Sequence, residues 1–141
     1  MKFVTEKAKI VESLQNAAAI AERRQTIPIL ANLRLKIIDE RLEVTATDLE
    51  IQIKTFSDLL EIKEEGETTV SARKMSELCR SLPDNENVEF SLDNGKLSVS
   101  SRNFNADFAT ISSDDFPEIE INEEQRPISI DSAKFKRLLS K

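Results

Sequence analysis

No histidine occurs anywhere in this chain. That absence removes Ser-His and Cys-His nucleophile pairs and most zinc sites. Gly66 and Gly95 are the only glycines, so no glycine-rich phosphate loop can be built. Cys79 stands alone, which rules out an internal disulfide and fits a reducing, cytoplasmic compartment. Trp and Tyr are missing, and the seven Phe are scattered at positions 3, 56, 90, 104, 108, 116 and 135. So scattered, they do not group into the stacking platforms for bases that a base reader requires. Contact with a nucleic acid would therefore run from Lys and Arg to phosphate, independent of base sequence. Long apolar runs are also lacking. The run 17–21 in the first helical segment is far too short to span a bilayer, and the N-terminus carries no signal-peptide apolar region. No membrane partner is expected.

The 141 residues, 39% of them hydrophobic, suit one domain of ordinary size with a real core. The formal net charge of −6 argues, taken whole, against a simple nucleic-acid binder. Its distribution argues the other way. The helical segments 6–24, 72–82 and 132–141 hold eleven Lys and Arg against four Glu, and the remainder is strongly acidic. Helices sharing a face would make that face positive on a negative body. The plainer reading is that lysines are good solvated helix formers.

One phrase is written three times. Val4-Thr5, Lys9-Ile10 and Leu14 are followed by Val70-Ser71, Lys74-Met75 and Leu78-Cys79, then by Ile130-Asp131, Lys134-Phe135 and Leu138-Leu139. Each copy is a β-type apolar residue, a helix-capping residue at 5, 71 or 131, a lysine, and an apolar helical stripe. Spacings of 66 and 60 residues mean repeated supersecondary modules. The third copy stops at Lys141, and the expectation is the front piece of a longer protein.

Thr5 is expected to cap a helix over about 7–21, with a polar loop over 22–28. Alternation then predicts three antiparallel strands, centred on 33–37, 42–46 and 49–53, with Asp48 as a local turn former between the last two. The second module repeats the order. A strand over 68–70 leads to a Ser71-capped helix that Pro83 ends. The strand 88–92 follows, then an Asn94-Gly95 hairpin turn, a return strand from 97, and a last strand over 104–110. Two strand–helix–strand–strand–strand modules predict an α+β domain with pseudo-twofold symmetry and both helices on one side of antiparallel sheets. Residues 1–117 form this domain, 118–127 an acidic connector, and 128–141 the first strand and helix of a second domain.

Acid–base chemistry by Asp114-Asp115 or Glu123-Glu124 is conceivable, but both pairs sit in a solvated connector. Cys79 falls on an apolar stripe and reads as a buried structural thiol.

The segments Thr26-Ile27-Pro28-Ile29-Leu30-Ala31-Asn32-Leu33, Ala46-Thr47-Asp48-Leu49-Glu50, Val70-Ser71-Ala72-Arg73-Lys74, Leu82-Pro83 and Asp115-Phe116-Pro117 resemble the bacterial DNA polymerase III beta subunit, the sliding-clamp family. Order and spacing agree along the whole chain. The resemblance implies a three-domain, non-catalytic subunit that closes head to tail into a two-subunit ring around duplex DNA, with helices lining the hole and no cofactor. Its implied partners are duplex DNA, a second clamp subunit, and the polymerase III catalytic subunit and clamp loader, the last two through domains absent here. Arg24 and Arg73 match the family's DNA-contacting arginines. Lys7, Lys74 and Arg80 join them as weaker candidates by helical location. The strand 103–110 resembles the edge that pairs with the other subunit. Phe108 matches an apolar interface position, Ala106 stands where an aromatic is often found, and Asn103 and Asn105 stand where basic residues can occur. Lys74 is also assigned to that interface. The alternative readings are a protein-interaction module with a basic helical face and a small acid–base hydrolase.

Overall fold

The computed structural model describes residues 1–21, 27–119 and 127–140. Among these residues nine strands and three α-helices follow one another as β1 (Lys2–Glu6), α1 (Lys7–Ala18), β2 (Asn32–Ile38), β3 (Arg41–Thr47), β4 (Gln52–Asp58), β5 (Glu61–Glu64), β6 (Glu67–Ser71), α2 (Ala72–Ser81), β7 (Asn87–Asp93), β8 (Lys96–Ser101), β9 (Phe104–Ala109) and α3 (Ser132–Leu139). The fold is α+β, as expected.

The two modules trade strands. One sheet runs β5-β1-β7-β8-β9 and the other β4-β3-β2-β6, antiparallel throughout. The first strand of each module is therefore paired with the second strand of the other: β1 with β7, and β6 with β2. The outer flanks match as well. β5 follows β4 and pairs with β1, and Ile111 follows β9 and bridges to Thr69 of β6.

One core serves both modules. Directly opposed in the β1–β7 register, the Phe3 and Phe90 rings stack with centroids 4.9 Å apart. Such a pair contributes about 0.5–1.5 kcal/mol beyond its area burial. Ile10 and Leu14 of α1, Leu35 of β2, Val44 of β3 and Met75 of α2 complete the same cluster. α1 packs against α2 and against β3 and β4, and α2 packs against β2 and β6.

The capping expectation holds twice and fails once. Ser71 Oγ accepts from Lys74 N at 3.3 Å, and Asp131 Oδ1 accepts from Lys134 N at 3.0 Å. Thr5 does not cap α1. Its hydroxyl donates to Asp58 O at 3.1 Å, and the Lys7 amide at the head of α1 donates instead to Glu86 O. A long-range partner has displaced the local one.

Two strands also differ from expectation. Asp48 Oδ1 accepts from Glu50 N at 2.9 Å and Ile51 N at 2.7 Å. Thr47 Oγ1 accepts from Leu49 N and donates to Ile51 O. This network holds Leu49 at φ 79° and extends the turn through Ile51, so β4 starts at Gln52 rather than at 49. β5 was not expected, because Glu61-Ile62-Lys63-Glu64 offers one apolar residue and reads as solvated loop. The Asn94-Gly95 turn is as expected, with φ 48° and 74°. Residues 28–31 fold as a 3-10 turn, and the expected loop 22–28 otherwise falls mostly outside the described residues.

Cys79 is buried and unpaired, and burial pushes its thiol up to about 11. At pH 8 the folded chain should leave Cys79 unreactive toward an aromatic disulfide reagent, with one equivalent released on unfolding. Phe90→Ala should cost about 3–5 kcal/mol, read as a lowered denaturant midpoint.

Candidate nucleic-acid interface

α2 is amphipathic because its apolar residues recur at helical spacing. Ala72, Met75, Leu78 and Cys79 are buried, which turns Arg73, Lys74, Glu77 and Arg80 outward. Arg73 Nε lies 3.3 Å from Glu77 Oε1, one turn further along, and both side chains are largely exposed. A pair of this kind is worth about 0.3–0.5 kcal/mol, so water or a phosphate competes with it easily. Three cations and one carboxylate leave the outward face of α2 positive.

α1 is different. Lys7 Nζ donates to Leu82 O and lies 2.6 Å from Asp84 Oδ1, with its side chain only 16% exposed. It ties the head of α1 to the loop after α2, and its charge is already neutralised. Lys9 lies 3.9 Å from Glu6, and Glu12 is exposed on the same helix. Lys7 and Lys9 against Glu12 leave the described part of α1 with one net positive charge, and Asp84 engages Lys7, so the outward positive charge on that part of α1 is weak. Arg24 lies outside the described residues.

The expected subunit strand is β9, at the outer edge of its sheet and, among the described residues, paired only with β8. Phe104, Ala106 and Phe108 are half-buried against the main core, and Asn103 and Asn105 are exposed. Asp107, which sequence reasoning passed over, sits on the exposed face, where it accepts from Ser98 Oγ at 2.6 Å with Lys96 at 3.6 Å. A charge at an exposed strand edge discourages indiscriminate pairing. Lys74 is carried by a helix packed on β2, β6 and α1, whereas β9 packs on β8.

A second polar cluster also escaped the sequence. Arg34 and Glu43 are buried on the face of the β4-β3-β2-β6 sheet away from the core. Arg34 Nη2 lies 3.2 Å from Glu43 Oε1 and 3.3 Å from Glu118 Oε1. Strict alternation reads Arg34 as solvated, and the signal that it is covered lies 84 residues away. Among the described residues no three His, Cys, Asp or Glu side chains gather as metal ligands, and no helix is long and apolar enough to cross a membrane.

The family described as DNA polymerase III beta subunit, N-terminal domain, matches residues 1–120. The chain belongs to this family. A beta sliding clamp from Vibrio harveyi is 35% identical over 141 residues, covering the whole chain and 97% of that relative. One from Pseudomonas putida is 33% identical over the whole chain, which spans 38% of that relative's length. The crystal structure of a DNA polymerase III subunit beta from Pseudomonas aeruginosa bound to griselimycin superimposes with a TM-score of 0.93 at 33% identity, over 99% of this chain and 38% of that one.

In this beta-subunit domain Asp84, Asp107 and Glu118 titrate low. The Lys7 ammonium holds Asp84 below its usual 3.8. Ser98, then Lys96, does the same for Asp107. Arg34, then Lys54, lowers Glu118 below 4.5. Their stabilisation is complete above those unfolded values and lost as pH falls through the lower folded ones. Acid titration of the thermal midpoint should therefore fall below about pH 4, and less steeply in Lys7→Met. Lys7→Met should also lower the midpoint at pH 7, whereas Arg73→Ala should stay within about 0.5 kcal/mol of the parent.

Proposed function

We propose that this chain supplies the first domain of a sliding clamp, a non-catalytic replication processivity factor. In the longer protein the domain forms part of a ring around duplex DNA and tethers the replicative polymerase at high effective concentration near its template. Residues 1–117 form the domain, 118–127 the acidic connector, and 128–141 the opening of a second domain. The observation that carries this reading is the match of residues 1–120 to the beta-subunit N-terminal domain.

The outward face of α2 supports a phosphate-contacting role for Arg73, Lys74 and Arg80, and the family resemblance adds Arg24 to them. Lys7 contributes by holding α1 and the loop after α2 together rather than by touching DNA. A weakly positive lining lets a ring slide, because each phosphate contact is exchanged at little cost. The open edge of β9 supports strand-to-strand closure with a second subunit, with Phe108 and Ala106 behind the edge and Asn103 and Asn105 on its exposed side. The polymerase and clamp loader would engage domains beyond these residues. The engagement of Lys7 by Asp84 favours one rival, a protein-interaction module that meets an acidic partner through α2 alone.

The longer protein should remain on circular duplex DNA and slip off linear ends, and equal retention on both would refute the topological mechanism. Arg73→Ala in that protein should weaken DNA binding uniformly across sequences and reduce the slope of log K against log salt by about 0.9. A flat salt response in the parent would favour the protein-only module.

A further inference from the structure

We propose that residues 111–119 form an electrostatically latched strap that detaches from the β4-β3-β2-β6 sheet without unfolding the domain, with Glu118 as the residue that closes it.

The strap crosses the sheet on the side away from the core. At one edge Ile111 exchanges both backbone hydrogen bonds with Thr69 of β6 at 3.1 Å. Mid-way, Phe116 is buried against Ile29 and Leu30, with the Arg34 guanidinium 5.5 Å from its ring centre. At the other edge Glu118 Oε1 lies 3.2 Å from Lys54 Nζ, and the Ile119 amide donates to Gln52 Oε1 at 3.0 Å, both on β4. Every strand is engaged, because Glu43 of β3 lies between Arg34 of β2 and Lys54 of β4, at 3.2 and 3.8 Å.

The chemistry of the cluster argues for a latch rather than a permanent seal. A buried ion pair gains little over an apolar pair of the same shape, because desolvation offsets most of its attraction. Arg34 and Glu43 have side chains 8% exposed, and Arg34 Nε is buried with no hydrogen-bond partner. Closing the strap therefore leaves one donor unsatisfied, and opening it returns two charges to water. Glu118 is the accessible member, with its side chain 53% exposed. Arg34 and Glu43 keep each other when it leaves, so release does not strand a buried charge.

Hydrogen exchange on the 141-residue chain, read by mass spectrometry, tests this. Glu118→Gln should raise exchange over 112–119 about ten-fold, with β2 and β3 unchanged, as expected of local opening. The unaltered chain should show the same localised rise between low and high salt, because the Glu118–Lys54 pair is open to screening. Unchanged exchange over 112–119 in both experiments, or an equal rise across β2 and β3, would overturn the proposal.

Discussion

The reciprocal pairing of β1 with β7 and β6 with β2 is the constraint on which the rest depends. Each module supplies a strand that the other module's sheet requires. The β5-β1-β7-β8-β9 sheet is complete only when the span from Lys2 to Ala109 has folded, and the single core straddling both modules follows from that exchange. The first turn of α1 shows how far it reaches. Its amide and its lysine are both satisfied from the loop that follows α2.

This arrangement separates structure from function on the helices. The buried stripe of α2 belongs to the shared core, so its outward residues are free to be selected for charge. On α1 Lys7 is used internally, and Lys9 and Glu12 are left on the surface. The positive face therefore rests on α2 among the described helices of the core.

Much of the fold was legible because local chemistry and tertiary demand agree. Ser71 and Asp131 cap where a capping residue precedes an apolar stripe, and Asn94-Gly95 turns where positive φ is needed at two successive residues. The failures share a cause. Thr5 has an acceptor 53 residues away that outcompetes its own helix. Asp48 and Thr47 together build a longer turn than either implies alone, which moves β4. β5 owes its place to β1 rather than to its own polar sequence. Of the candidate site, the outward face of α2 could be read from periodicity, and the edge position of β9 only from the family resemblance. The commitment of Lys7 and the burial of Arg34 could not, because each is set by a partner more than 70 residues away.

The exchange of strands also makes the domain a natural split pair. A chain severed at Glu65-Gly66, between β5 and β6, leaves one piece holding β1 without β7 and another holding β6 without β2. Each piece would carry the missing strand of its counterpart and a bare ladder of backbone donors and acceptors shaped for it alone. The two halves would recognise one another by complementation, and neither would keep its sheet in isolation.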